Sequence, residues 1–164
     1  MATTIESILD DFIQTKQEAV VFIGQLDELL DAIFATTVPF VSLCEKKISV
    51  IRKEKLLAIL EAEKVNITEK NTIAQCLTRI KQVLSQKPVL ELILAFEPKQ
   101  ETVSKIRQWC YQQYKMVPLV SISSDPTLLG GCILRIDGHY KDYSVKKIFQ
   151  EKQQPIFDTL SAYA

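Results

Sequence analysis

Apolar residues recur every three or four positions through the first half of the chain, which is the spacing of an amphipathic helix. This spacing predicts four helices. The first carries Ile5, Ile8, Leu9, Phe12 and Ile13. The second carries Val20, Val21, Ile23, Leu26, Leu29, Leu30, Ile33 and Phe34. The third is predicted over residues 40–64, with a buried stripe of Ile48, Ile51, Leu56, Leu57, Ile59 and Leu60.

The fourth predicted helix follows Thr68, whose hydroxyl is a suitable N-cap. Neither glycine nor proline interrupts residues 68–87. The apolar positions of this helix are Ile73, Cys76, Leu77, Ile80, Val83 and Leu84. Four amphipathic helices joined by short connections are typical of a helical bundle.

The periodicity changes after residue 87. Residues 89–96 form a short apolar run between prolines and predict a strand. A helix over 99–114, strands over 117–123 and 129–136, and a short fourth strand at 140–141 follow. A last helix is predicted from Ser144 as N-cap, with Pro155 ending or kinking it. The fold class is therefore α+β: an N-terminal α-helical bundle (residues 1–87) followed by a small β-α-β-β-α C-terminal domain (residues 88–164).

Three of the chain's four glycines lie within nine residues, at Gly130, Gly131 and Gly138. Asp137-Gly138 between two extended runs predicts a hairpin turn. Gly130-Gly131 lacks the further glycines and the Lys-Ser/Thr of a phosphate-binding loop. We therefore expect these two glycines to serve the backbone, at a positive φ or a close approach.

Charge and composition argue against several classes of function. Lys plus Arg equal Asp plus Glu at 20 each, which argues against a general nucleic-acid binder. No apolar run is long enough for a membrane span, and the N-terminus lacks the features of a secretory signal. The four scattered cysteines indicate free thiols in a reducing compartment rather than a zinc site. They are Cys44, Cys76, Cys110 and Cys132.

Candidate chemistry is sparse. His139, the only histidine, is close to two aspartates, but a solvated turn histidine is favoured over a catalytic or metal-binding one. Trp109 is expected to pack against the sheet, with an exposed interface position as the alternative. The charge run at 46–55 predicts a solvated helix face, or else a dock for an acidic helix. Without catalytic, cofactor-binding or metal-ligating groups, the residues favour a binding or structural protein over an enzyme.

The stretch 125–149 resembles the closing signature of the F-type ATP synthase delta subunit family, called oligomycin sensitivity-conferring protein in mitochondria. The matching residues are Asp125, Pro126, Gly130, Gly131, Arg135, Gly138, Asp142, Ser144, Val145 and Lys146. With the preceding strand, helix and strand, the resemblance covers about 89–154. It implies a helical N-terminal domain, a small α/β C-terminal domain, and a non-catalytic role without a cofactor.

The resemblance also implies partners and a location. The bundle would bind N-terminal segments of alpha subunits, and the C-terminal domain would bind b-type stalk helices, in a hetero-oligomer without nucleic acid. The subunit would be peripheral, on the cytoplasmic face of a bacterial inner membrane or the matrix or stromal face in an organelle. We expect the bundle to offer a groove lined by residues such as Ile5, Leu9 and Phe12.

The chain departs from the family pattern at three points. It lacks the Tyr-Ala-x-Ala-Leu type of first helix, shows four predicted helices where six are usual, and has Tyr143 where a glycine follows the aspartate. Two alternatives stay open from the residues. One is an E-like stalk subunit of a V-type ATPase. The other is an α/β module that binds a small ligand or nucleic acid.

Overall fold

The computed structural model describes residues 5–114, 116–136 and 138–152. The chain divides into two compact units, Met1–Lys87 and Pro88–Ala164. The first contains only helices among its described residues, and the second contains a four-stranded mixed sheet with helices. The predicted α+β class, with the helices first, is confirmed. That residues 1–87 and 88–164 fold as separate domains stays a prediction.

Five helices make up the described part of the first unit. They are α1 (Ile5–Phe12), α2 (Lys16–Ala35), α3 (Phe40–Lys47), α4 (Val50–Ala62) and α5 (Lys70–Gln86). The long helix α2 packs against α3 and α5, and α1 packs against α4. Helix α2 begins with a capping box, in which the Thr15 hydroxyl accepts from the Glu18 amide and the Glu18 carboxylate accepts from the Thr15 amide. The core side chains include Leu9, Phe22, Leu26, Leu29, Leu56, Ile59, Leu60, Leu77 and Ile80.

The single helix predicted over 40–64 is wrong. Ile48 has an extended backbone, with φ −130° and ψ 154°, and this residue separates α3 from α4. The break changes the direction of the chain, so the helical phase of the apolar stripe is not continuous across it. Ile51, predicted to be buried, is 67% exposed, whereas Leu56 and Leu60 remain buried. The first unit therefore has five described helices instead of the four predicted.

The N-cap predicted at Thr68 is also wrong. Helix α5 begins at Lys70, and Glu69 precedes it without a side-chain cap. The Thr68 hydroxyl and amide both donate to Asn66 Oδ1, at 2.7 and 3.1 Å. The asparagine therefore holds Thr68 inside a local turn, where its hydroxyl is not available to the helix.

The second unit follows the predicted β-α-β-β-α order with the short fourth strand added before the last helix, so its elements run β-α-β-β-β-α. Its elements are β1 (Val89–Leu94), α6 (Gln100–Tyr114), β2 (Leu119–Ser124), a 3-10 turn (Pro126–Leu128), β3 (Cys132–Ile136), β4 (His139–Asp142) and α7 (145–152). The strand order is β2-β1-β3-β4, with β1 and β2 parallel and the other pairs antiparallel. Strand β3 begins three residues later than predicted, because residues 129–131 form a turn. The predicted end or kink at Pro155 lies outside the described residues.

The core of the second unit lies on one face of the sheet. Leu90, Leu92 and Leu94 alternate with less buried residues along β1 and point to the same face. Val103 and Cys110 of α6 are also buried in this core, together with Val120 of β2. Helix α6 thus covers the sheet over strands β1 and β2.

We expect Leu92→Ala to destabilise the second unit by about 2–5 kcal/mol, because it opens a cavity beside fully buried neighbours. The matched control is Glu91→Ala, on the opposite face of the same strand, which should cost less than about 1 kcal/mol. Denaturant unfolding followed by fluorescence of Trp109, the only tryptophan, reports on the second unit. If circular dichroism shows the helices of the first unit unfolding at the same shifted midpoint, the boundary at residue 87 is wrong.

Candidate functional site

Three loops of the second unit, which follow β1, β2 and β4, meet at one end of its sheet, around the double glycine. The Ala95 amide, just after β1, donates to the Gly131 carbonyl at 3.4 Å. The Val145 amide, at the start of α7, donates to the Gly130 carbonyl at 3.0 Å. The Tyr143 amide donates to the Cys132 carbonyl at 2.8 Å. The glycine pair is therefore bonded to both the end of β1 and the start of α7.

Both glycines lie where a side chain would collide with a neighbour. Gly131 has φ +75°, and an added Cβ would lie 2.1 Å from the Tyr143 carbonyl oxygen. A Cβ on Gly130 would lie 2.9 Å from a methyl group of Val145. The close neighbour of Gly131 is a backbone carbonyl group, which cannot rotate away as a side chain can. Gly131 therefore has the positive φ and the close backbone approach expected from the sequence, whereas the close neighbour of Gly130 is a side chain.

Two aspartates of the signature close the neighbouring turns. Asp125 Oδ1 accepts from the Thr127 amide at 2.9 Å and from its hydroxyl at 2.7 Å. Asp142 Oδ1 accepts from the Ser144 amide at 2.8 Å. The bonds from Thr127 and Ser144 lower the pKa of the two carboxyl groups, since they favour the charged form.

Ser144 is the predicted N-cap of the last helix, and the structure agrees. Its hydroxyl accepts from the Lys147 amide at 3.2 Å, and the residue is buried.

The two basic residues of the signature, Arg135 and Lys146, lie on a strand and on a helix rather than in a loop. Arg135 lies on β3, exposed, with its guanidinium carbon 5.5 Å from the centroid of the Tyr140 ring. Lys146 is exposed on α7.

The loop end of the sheet also exposes apolar side chains. Phe96, Leu129 and Tyr143 are each more than half exposed, and each is close in sequence to one of the bonded loops. Leu129 has φ +61°, a conformation that is rare for a residue with a branched side chain, and it is 70% exposed. The exposure and positive φ of Leu129 were not foreseen, because the sequence analysis placed this residue at the start of the strand predicted over 129–136.

The first unit has an apolar groove at the end of its bundle, with a volume of about 330 Å³. The α2–α3 connection forms one side of the groove and the α4–α5 connection forms another. Its lining includes Ile33, Val38, Pro39, Phe40, Ile67 and Ile73. Lys70 lies at this groove, where its Nζ donates to the Thr36 carbonyl at 2.8 Å. An apolar helix end could bind here, with the lysine beside it.

The groove predicted along α1 is wrong. Ile5 and Leu9 are buried in the core of the bundle itself. Phe12 packs edge-on against Phe22, with 5.3 Å between the ring centroids. The apolar face of α1 is used for folding and is not open to a partner, so the spacing that identified the helix could not identify the groove.

The charge run of α3 and α4 is engaged in ion pairs with neighbouring helices. Lys47 lies 3.1 Å from Glu28 of α2, and Lys55 lies 3.4 Å from Asp11 of α1. Lys53 pairs with Glu45 at 3.1 Å. Exposed pairs of this kind contribute little to stability, but they balance the charge of the surface. The alternative of an acidic helix docking on this run gains no support from them.

All four cysteines are free of disulfide bonds. Burial raises the pKa of Cys44 to about 12 and also raises the pKa of Cys76, Cys110 and Cys132. The described residues contain no group of histidine, cysteine and acidic side chains arranged to hold a metal ion. His139 lies exposed on β4.

A family model described as the ATP synthase delta (OSCP) subunit matches residues 35–154. The chain belongs to this family. The match begins at the end of α2, includes α3 to α5 and continues through the second unit, so it is wider than the stretch 89–154 that carried the resemblance. No individual curated protein matches the chain.

Membership of the delta (OSCP) family indicates the general role of the chain. Members are non-catalytic subunits of the peripheral stalk of F-type ATP synthase, associated with the membrane as part of a hetero-oligomer. Among the residues that the structure describes, none of the helices has the length and apolar character needed to cross a bilayer.

We expect Gly131→Ala to destabilise the second unit by more than about 3 kcal/mol, because the new Cβ would overlap the Tyr143 carbonyl. Gly138→Ala is the matched control. Gly138 has nearly the same φ, +77°, but has open space around it, so only the backbone strain of about 1–2 kcal/mol should appear. Chemical denaturation of the two variants measures the difference. Equal losses would show that the close approach at Gly131 does not matter.

The lowered pKa of Asp142 predicts a loss of stability in acid. At pH values above the ordinary carboxyl pKa of about 3.8, the ionised Asp142 side chain stabilises the turn. This stabilisation is lost as the pH falls through the lower pKa that Asp142 has in the folded state. In Asp142→Asn the side-chain oxygen can still accept from the backbone amide of Ser144, but the side chain no longer titrates. The variant should therefore lose less in melting temperature than the wild type between about pH 5 and pH 3. Glu97→Gln, in an exposed loop, controls for the change in net charge, and an identical acid loss in all three proteins would contradict the assignment.

Proposed function

We propose that this chain is the connector between the catalytic head and the b-type stalk of an F-type ATP synthase. In this role it keeps the head from turning with the rotor, so that proton transport is coupled to ATP synthesis. The family match over residues 35–154, which includes parts of both units, is the observation that carries the proposal.

The first unit is suited to binding helical segments. Its end groove is apolar, about 330 Å³ in volume, and bordered by the ammonium group of Lys70. An amphipathic helix that lays its apolar side chains into such a groove is a common mode of recognition. We propose that the N-terminal segments of alpha subunits bind here.

The second unit supplies a separate surface for the b-type helices. Two attachment points on one chain restrain the stalk more strongly than either alone, because after the first contact the second is intramolecular. Rigid units are needed for this role, and the backbone contact at Gly131 provides rigidity in the second. We propose a peripheral position on the cytoplasmic face of a bacterial inner membrane, or on the matrix or stromal face in an organelle.

The alternatives have less support. An E-like stalk subunit of a V-type ATPase would be expected to have long charged N-terminal helices, whereas α1 to α5 form a compact bundle whose longest helix has 20 residues. A nucleic-acid module would be expected to have excess positive charge, but the net charge is zero.

We expect the chain to recover alpha, beta and b-type subunits when purified from solubilised membranes. Ile67→Asp should reduce recovery of the alpha subunit by roughly fivefold or more, because it places an unpaired charge in the groove. Val50→Asp is the matched control, since Val50 is exposed at the start of α4 and does not line the groove. Quantitative immunoblots measure the recovered subunits.

Recovery of none of the three subunits with the wild-type chain would contradict the proposed function. Equal recovery of the alpha subunit with the two variants would leave the connector role in place and would show that the groove is not its binding site.

A further inference from the structure

The sheet of the second unit has a hollow on its core face, over strands β3 and β4. The hollow has a volume of about 250 Å³. Leu90, Leu134 and Ile136 line it from the sheet, and Trp109 and Cys110 line it from α6. Leu134 and Ile136 are only half-buried, and Trp109 is 44% exposed. This side of the sheet therefore keeps an apolar surface that none of the described elements covers.

The strand register shows that this surface belongs to the core face of the sheet. Leu90 of β1 pairs with Ile136 of β3, and Leu92 pairs with Leu134, so both β3 residues lie on the same face as the leucines of β1. Helix α6 covers this face over β1 and β2. A sheet buries its apolar face against another layer, so a second covering element is expected over β3 and β4.

Helix α7 does not supply this cover along its described length. It starts at the loop end of the sheet, where the Val145 amide donates to the Gly130 carbonyl. Every residue of α7 after Val145 is exposed, and the exposed fractions of Ile148 and Phe149 are 47% and 62%. The cover must therefore come from the chain beyond residue 152 or from another molecule.

The sequence beyond α7 has the pattern of a covering segment. Residues 153–164 read Gln-Gln-Pro-Ile-Phe-Asp-Thr-Leu-Ser-Ala-Tyr-Ala. Four apolar or aromatic side chains follow one another at the spacing of a single helix face. They are Ile156, Phe157, Leu160 and Tyr163. Pro155 stands directly before them, at a position where proline suits the first turn of a new helix and a change of direction.

Charge agrees with this assignment. The hollow has His139 and Lys141 at its edge, and no acidic side chain occurs among the described residues that line it. Asp158 is the only charged side chain in residues 153–164. The segment and the edge of the hollow thus have opposite signs, which favours their approach.

The segment is also long enough to reach the hollow. Strand β3 is about 17 Å long at the usual rise, which is the distance from the start of α7 to the far side of the hollow. Helix α7, over 145–152, spans about 12 Å. Residues 153–164 span about 18 Å as a helix and about 40 Å when extended. The hollow is within this range for any direction of α7.

We infer that residues 155–163 of this chain form a strap over the hollow, with Leu160 packed against Leu134 and Trp109. The strap completes the core face of the sheet and removes Trp109 from water. A cover of a few side chains is weaker than a packed core, so the strap opens more readily than the rest of the unit. The inference concerns the chain itself and does not rest on the partners proposed above.

The test uses the full chain and the quenching of Trp109 by acrylamide. Trp109 is the only tryptophan, so its emission reports on the hollow alone. Leu160→Asp places a charge among apolar side chains and should raise the quenching constant at least about twofold. Thr159→Asp is the matched control, because it adds the same charge at the neighbouring position, outside the apolar spacing. Its quenching constant should stay within about a fifth of the wild-type value. Cooperative thermal unfolding shows that both variants are folded.

A direct contact provides a second measurement, on the unmodified chain. Nuclear Overhauser cross-peaks between the ring protons of Trp109 and the methyl groups of Leu160 are expected in the wild type. The absence of these cross-peaks would overturn the inference. Equal quenching constants in Leu160→Asp and Thr159→Asp would overturn it as well.

Other covers give different results. Protection of Trp109 that rises with the concentration of the chain would assign the hollow to a second copy. Protection that appears only when octanoate is added would assign it to a small apolar carboxylate. Either result would overturn the inference. The proposed function is tested separately, by recovery of the synthase subunits, so that each of the two can fail while the other stands.

Discussion

The second unit depends on the contact between Gly131 and the backbone at Tyr143. At this point the end of β1, the start of β3 and the start of α7 are joined by backbone hydrogen bonds, which requires that residue 131 have no side chain. Asp125 and Asp142 then close the two turns that lead into and out of this junction. Within the signature, Gly131, Asp125, Asp142 and Ser144 hold these loops through backbone contact and hydrogen bonds.

Much of this arrangement could be predicted from the sequence, because its determinants are local. The short apolar run between Pro88 and Pro98 identified β1, and Ser144 identified the start of the last helix. The two glycines indicated a backbone requirement, although only the structure shows that the neighbour is the Tyr143 carbonyl. Local signals of this kind need no knowledge of what lies opposite.

The predictions that the structure contradicts, by contrast, depend on features that residue type and spacing do not reveal. The apolar stripe continues through Ile48, so nothing in the periodicity reveals that its backbone is extended. Thr68 is a good N-cap by residue type, but the competing bond to Asn66 decides its role. The apolar positions of α1 identified the helix correctly, yet their partner is the core, not another protein. The first error concerns a break in the backbone, and the other two concern which of two possible neighbours a residue contacts. Spacing alone reveals neither.

Two apolar surfaces lie at the edges of the packed cores. The groove of the first unit lies where two interhelical connections leave apolar side chains uncovered. The hollow of about 250 Å³ in the second unit, lined by Leu90, Leu134 and Ile136, lies where the apolar face of β1 and β3 meets Lys141 of β4. Exposed apolar area of this kind is unfavourable in water, and an assembly that covers it regains that free energy. The connector role that we propose requires such areas at the margins of well-packed units, because the interior must stay rigid while the margins bind. Lys70 lies beside the groove and Lys141 beside the hollow, so each apolar surface has a positively charged edge, which complements a partner that carries a carboxylate beside its apolar side chains.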